Sequence, residues 1–586
     1  MARIITRPPH GKPTGCETVI QEWKGGSEAP RSPDVTPFCE SPTVIWGLER
    51  YHRSRHVNAD PDAKERPVSN DLISALQDPA RYDHPVDDFK VLETHISWVI
   101  LTGPYAYKIK KPMDFGFLDF SSLDRRKHFC EEEIRLNRRL APDLYEAVVP
   151  ITGSAENPTL GGDGEPFEYA IRMRQFDQAN LLDAIQEKGN LTSKAMKDLA
   201  RQTAEFHRDL PRVPDDKPLG TPEAVYAAMQ ENFDQVRPLL DDADLLKQVD
   251  ELEAWTRTTF NRLEDKIAQR RSDGFVRECH GDLHLSNITY YDGDVTVFDC
   301  IEFNEPFRWI DVINDVAFLL MDLESRGENG LAMDVLNTYL EYSGDYEALP
   351  LLPLYKAYRA MVRAKIALFT RGNEGLSEAD KAGLLDTFRS YAQLADSYGT
   401  CPNPYLLATT GLSGSGKTVV SGALARELGL IRLRSDVERK RLHGLSPLDN
   451  SRSGIGADIY SAESNQKTYD RLAALAQNIL LSGCPVIIDA ACLKHAERAR
   501  FDDLAAELGM PFALIDCQAP EALRRKWIRA RNDDASEATE ALLDKQLTWL
   551  EPIAEDERAH TVHVHTEEDR VAESLADRIR SHFSLA

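Results

Sequence analysis

No stretch of this sequence stays apolar for the roughly 20 residues that a bilayer-spanning helix needs; Val316–Met321 is among its longest apolar runs. The first ten residues hold two arginines and two prolines and no apolar segment, so no secretory leader is expected there. Cysteine is sparse and unpatterned. The nine, at positions 16, 39, 130, 279, 300, 401, 484, 492 and 517, are odd in number and never spaced C-x-x-C. That spacing argues against a disulfide frame or a zinc ribbon, and predicts reduced thiols in a cytoplasmic protein. Positive charge is in deficit, with 70 Lys and Arg against 96 Asp and Glu and a net charge of −26. Such a surface repels polyanions, so neither stable duplex nucleic-acid binding nor a membrane partner is expected. Repeats of 20–50 residues are absent too.

What is present divides into three parts. Residues 1–70 are rich in Pro, Arg, Ser and Gly without a sustained period, and read as a disordered tail. Residues 71–398 open with short strand patterns at Phe89–Thr94, Trp98–Thr102 and Tyr105–Ile109, then an amphipathic helix over Asp124–Leu140. Another strand is expected at Glu168–Phe176. After a helical stretch, a hairpin about Asp292-Gly293 and more helices to Ser397 complete an α+β unit with a small and a large lobe. Near residue 400 the pattern changes to alternating strands and helices, so 399–586 reads as an α/β unit with a parallel sheet. With 586 residues, two or three domains are expected on length alone.

The most specific local signal is Gly411, Leu412, Ser413, Gly414, Ser415, Gly416, Lys417, Thr418, a full G-x-x-x-x-G-K-[ST] match between a strand and a helix. Its glycines let backbone N–H groups turn inward on the phosphates of ATP. Lys417 is expected to reach the β/γ-phosphates and Thr418 to hold Mg²⁺. Asp436 follows the next strand and is the candidate to receive a proton from an acceptor hydroxyl, with Arg439 holding acceptor charge. Asp489 ends the apolar strand Val486–Asp489 and suits the metal shell. Further on, Arg524, Arg525, Lys526, Arg529 and Arg531 crowd one helix; Arg525 and Arg529 are candidate lid residues over the phosphates. These residues resemble the small P-loop kinases that include polynucleotide 5′-kinases, gluconate kinase and zeta-type toxins. The Asp436-x-x-Arg439 pair is most similar to the polynucleotide kinase arrangement.

The second strong motif is His280-Gly-Asp282-Leu-His284-Leu-Ser-Asn287. In an H-x-D-x-x-x-x-N loop the aspartate faces the acceptor hydroxyl and the asparagine coordinates a metal. Zinc on His280 and His284 is the competing reading, but Gly281 disfavours the helix that this spacing would need. Asp299 ends the following apolar strand, where a kinase places its Mg²⁺-binding aspartate. This set resembles the aminoglycoside phosphotransferase and choline kinase group, whose fold is a bilobal, protein-kinase-like α+β domain. The resemblance implies a phosphate-clamping lysine on Tyr105–Lys110. Lys108 and Lys110 share a strand face, so alternation does not choose between them, although Lys108 is preferred. It also implies Glu133 as their ion-pair partner. Where a protein kinase carries G-x-G-x-x-G, this chain has Glu93–Trp98 without glycine. The whole resembles bacterial bifunctional phosphotransferase/ATP-binding proteins, and implies Mg·ATP-dependent transfer to a small-molecule hydroxyl. Two further readings stay open: a nucleotide-sensing regulator, and a nucleic-acid 5′-hydroxyl kinase.

Overall fold

The computed structural model describes residues 70–583 apart from 95, 117, 374, 401–402, 452–457, 531–533 and 568–570. The tail expected over 1–70 therefore lies outside the described residues, except for Asn70, which opens a short helix. Arg531 lies outside them as well.

Six strands build the first lobe: β1 Lys90–Glu93, β2 Ser97–Leu101, β3 Tyr105–Lys110, β4 Tyr145–Gly153, β5 Pro158–Leu160 and β6 Pro166–Arg174. Their order is β1-β2-β3-β6-β4-β5, with every neighbour antiparallel. Alternation sorts β3 between two cores. Tyr107 and Ile109 join Trp98 and Ile100 on one side, while Ala106 packs with Cys130 and Ile134 of the Leu123–Asn137 helix on the other. Lys108 and Lys110 share the face of Ala106 and meet that helix. Strand β4 escapes the sequence pattern because Pro150 interrupts it and its pairing with β6 shifts register twice.

The second lobe is helical. Strands β7 Val276–Glu278 and β10 Trp309–Asp311 pair with each other, and β8 Ile288–Tyr291 with β9 Asp294–Val297. Behind them the Val312–Ser325 helix is buried from Val312 to Leu323, packed by the Ser193–Asp209, Asn329–Ser343 and Leu352–Arg371 helices. A helix buried on every side belongs in the middle of a core, and its buried Asn314, Asp315 and Asp322 find polar partners there.

The downstream unit is a five-stranded parallel sheet: β11 Leu406–Thr410, β12 Ile431–Arg434, β13 Val486–Asp489, β14 Phe512–Gln518 and β15 Thr561–His565, in the order β12-β13-β11-β14-β15. All five residues of β11 are buried, as its central place requires. Strand β12 is an edge, and the Asn329–Ser343 helix of the upstream unit covers it. Asn337 Nδ2 donates to Leu430 O at 3.0 Å, and Arg432 N donates back to Asn337 Oδ1 at 2.7 Å. Val335, Leu336 and Tyr339 of the same helix share one apolar cluster with Ile431, Leu433 and Leu472.

Candidate functional site

The upstream site lies where the two lobes meet. Lys108 Nζ donates to Glu133 Oε1 at 2.8 Å and to Asp299 Oδ1 at 2.7 Å. Lys110 Nζ donates to Glu133 Oε2 at 2.6 Å and also pairs with Glu302. Both lysines therefore use Glu133, but only Lys108 bridges it to Asp299. Lys110 lies deeper, 1% exposed, with its ammonium 4.9 Å from the Phe120 ring centroid. Burial works against the charge on Lys108, yet Asp299 and Glu133 hold its ammonium well above its ordinary pKa. Burial likewise works to raise Glu133, and the two ammonium groups outweigh it and hold the carboxyl low. Asp299 sits at φ +62°, a left-handed conformation that aspartate tolerates better than most residues and that is enriched at functional sites.

The 280–287 loop is held by Asp315, whose carboxylate accepts from His280 N at 3.0 Å and Gly281 N at 2.8 Å and lies 3.1 Å from His207 Nε2. Asp282 accepts from Asn287 Nδ2 at 3.0 Å, which leaves Asn287 Oδ1 as the atom available to a cation. Burial alone would raise the Asp282 carboxyl; His284, 3.3 Å away, and His280 keep it well below the ordinary range. A carboxyl held low keeps its charge and can accept a proton, the chemistry that a general base supplies. The histidines have local work. His280 Nε2 is 2.9 Å from Phe298 O, burial holds its pKa down, and His284 contacts Asp282. Among the described residues, the buried group of three His/Cys/Asp/Glu side chains close enough to share a metal is His207, Cys279 and Asp315, which includes neither His280 nor His284.

Gly281 has no substitute. It sits at φ +88°, and a Cβ there would lie 2.8 Å from Phe307 O. Gly281→Ala is expected to lower unfolding free energy by about 1–3 kcal/mol, read from denaturant midpoints. An unchanged midpoint would show that the loop yields without cost.

Asp282, Asp299, Lys108 and Glu302 line one narrow cavity of about 20 Å³, roofed by Ile96 and Ser97 of the glycine-free β1–β2 turn. The turn is closed by Thr94 N donating to Ser97 O at 2.9 Å.

The downstream site is far roomier. Strands β11, β12 and β13 are parallel, so their carboxyl ends deliver the loop after β11, Asp436 after β12, and Asp489 at the end of β13 to one sheet edge. A cavity of about 960 Å³ opens there, lined by Lys417, Thr418, Asp436, Arg439 and Asp489. Glycine is required in its loop: a Cβ on Gly411 would lie 2.5 Å from Cys517 O, and one on Gly414 2.6 Å from Arg524 O. Lys417 Nζ donates to Gly411 O at 2.9 Å and Leu412 O at 2.8 Å. Arg439 is set by Ile459 O at 3.3 Å and Asn465 Oδ1 at 3.1 Å. The donor set suits a hard divalent cation. Asp489 Oδ2 is buried and accepts no hydrogen bond from the described residues, and Thr418 lines the same cavity.

The lid expectation needs correcting. Arg525 pairs with Glu521, Glu540 and Asp544, and Arg529 with Glu540, so neither lines the cavity. Instead, residues that no motif announced close it: Trp527 from the same helix, and Gln546 and Trp549 from the next. Gln546 Oε1 accepts from Ser413 N at 2.8 Å. Asp315 was equally unannounced, since its partners lie 35 and 108 residues away.

Comparison with known proteins agrees with this division. Residues 117–352 match the family model of the phosphotransferase enzyme family, and 406–553 that of an AAA domain. An uncharacterized protein of Mycobacterium tuberculosis is 29% identical over 476 residues, which span 80% of this chain and 92% of that protein. Among solved structures, a choline/ethanolamine kinase family protein from Mesorhizobium loti is similar over 56% of this chain and 98% of its own, at 11% identity and a TM-score of 0.34. A gluconokinase from Sinorhizobium meliloti is similar over 32% of this chain and 99% of its own, at 19% identity and a TM-score of 0.23. The chain carries a phosphotransferase-like, kinase-fold unit followed by a P-loop kinase-like unit.

Proposed function

We propose that this protein is a phosphotransferase with two nucleotide sites, each passing the γ-phosphoryl group of Mg·ATP to a hydroxyl of a small-molecule acceptor. The observation that carries the proposal is the convergence of Lys417, Thr418, Asp436 and Asp489 on one cavity large enough for a nucleotide and an acceptor together. In that cavity the loop amides and Lys417 bind the phosphates, and Arg439 orients the acceptor. Asp436 takes the proton that leaves the attacking hydroxyl. Thr418 and Asp489 would hold Mg²⁺, which supplies neutralising charge on the phosphate oxygens. Upstream, Asp282 plays the part of Asp436 and Lys108 that of Lys417, while Asn287 and Asp299 would hold the cation. A cytoplasmic setting is part of the proposal, supported by cysteines that are odd in number and never spaced C-x-x-C. Among the described residues, no helix is long and apolar enough to cross a membrane.

The experiment is a screen of hydroxyl compounds (sugars, amino alcohols, aminoglycosides and a 5′-hydroxyl oligonucleotide) with γ-labelled ATP. It uses the full chain, Lys417→Ala and Asp282→Asn. Acceptor-dependent label transfer that one variant loses and the other keeps is expected for each site. Hydrolysis without transfer to any acceptor would overturn the proposal. The narrow upstream cavity, with Asp299 occupied by Lys108, favours a second reading in which the upstream unit binds nucleotide without turnover and regulates its neighbour. Asp282→Asn leaving every product unchanged would select that reading.

A further inference from the structure

One wall of the downstream cavity belongs to no motif. Arg434, the last residue of β12, lines it beside Asp489. Its Nε lies 3.5 Å from Asp489 Oδ2, its Nη2 pairs with Asp534, and its Nη1 donates to Glu341 Oε2 at 3.5 Å. Glu341 comes from the Asn329–Ser343 helix, which is part of the upstream unit. It is 5% exposed, and its second oxygen accepts from Arg432 Nη2 at 2.7 Å. One buried carboxylate thus faces two guanidinium groups, and one of those guanidinium groups faces the candidate metal-binding aspartate.

We propose that Glu341 is a positioning residue of the downstream nucleotide site: it shares Arg434 with Asp489, so that Asp489 keeps an oxygen for a divalent cation. The inference rests on the reading of that cavity as a Mg·ATP site. The physical argument is competition for one carboxylate. A buried guanidinium needs compensating charge. With Glu341 neutralised, Arg434 has only Asp489 and Asp534 left, and it closes on the oxygen that a cation would use. Partners one step removed from a metal commonly tune its affinity by about 10- to 100-fold. Docking between the units is the competing role for Glu341, and the same interface provides a control. Asp334, on the same helix, pairs with Arg426 and Lys197, both at 3.4 Å, and neither residue lines the cavity.

The test is calorimetric titration of the full chain with a non-hydrolysable ATP analogue across a Mg²⁺ series, taking the part of the binding that Lys417→Ala removes. Glu341→Gln is expected to raise the Mg²⁺ concentration for half-saturation by about tenfold while metal-free binding stays as it was. Glu341→Asp, which keeps the charge on a shorter arm, is expected to fall between the wild type and Glu341→Gln. Asp334→Asn is expected to match the wild type. A Mg²⁺ requirement unchanged in Glu341→Gln, or shifted equally by Asp334→Asn, overturns the proposal. If Glu341→Gln does not fold, Glu341→Asp decides alone, and an unshifted requirement overturns it. Total binding unchanged by Lys417→Ala would instead remove the Mg·ATP reading of this cavity itself.

Discussion

Lys417→Ala is expected to lower turnover at the downstream site by roughly 10²–10³-fold, the loss typical for removing one preorganised charge-stabilising donor. The ammonium is already in place. Its two hydrogen bonds to Gly411 O and Leu412 O hold it inside the loop whose amides are to meet the phosphates. Alanine removes that charge and also leaves two loop carbonyls without a donor, so Lys417→Met belongs beside it as a variant that keeps the aliphatic stem. Both are to be assayed in an Asp282→Asn background, which silences the upstream site. Thermal melts check that the loop persists. Rates within twofold of the parent in both variants would refute the assignment of Lys417.

The second large effect separates two carboxylates upstream. Asp282→Asn is expected to cut transfer by about 10²–10⁴-fold, the range for loss of a general base. Nucleotide affinity should hardly change, because the Asp282 side chain bonds to Asn287 and His284 within its own loop. Asp299→Asn is expected to weaken Mg·ATP binding itself by about tenfold or more, since an amide is a poorer ligand for a hard cation. Asparagine also tolerates the left-handed backbone at this position, so the variant tests charge rather than strain. Both variants require the Lys417→Ala background, so that the larger site does not mask the smaller. Calorimetry showing the reverse pattern would exchange the two roles. No effect on any transfer reaction would leave this half a scaffold.

Residues that chemistry places next to each other in the chain were legible without a structure. The loop 411–418 is contiguous, Asp282 and Asn287 are five apart, and Asp299, Asp436 and Asp489 each announce themselves at or just past a strand end. Strands β1, β2 and β3 also begin and end within one residue of where the sequence places them. The residues that support those sites were not legible. Asp315, Gln546 and Glu341 act on partners 34 to 133 residues away, a separation at which no periodicity survives. The basic helix misled for a related reason. A row of arginines predicts charge on a helix face, but Glu540 and Asp544 on the next helix decide where that charge is spent. Lys108 and Lys110 show the same limit in miniature. Strand alternation places them on one face, and only the distance to Asp299 separates them.

Asn337 stands against β12 much as a sixth strand would, answering one open carbonyl and one open amide. Cutting the chain near residue 400 therefore does not release two finished proteins. The C-terminal piece would expose a bare sheet edge and the apolar side chains of Ile431 and Leu433, the kind of surface that pairs with copies of itself. In the intact chain the same seam should make the halves melt together, as a single calorimetric transition. Two sites on differently built sheets would then share one thermal fate.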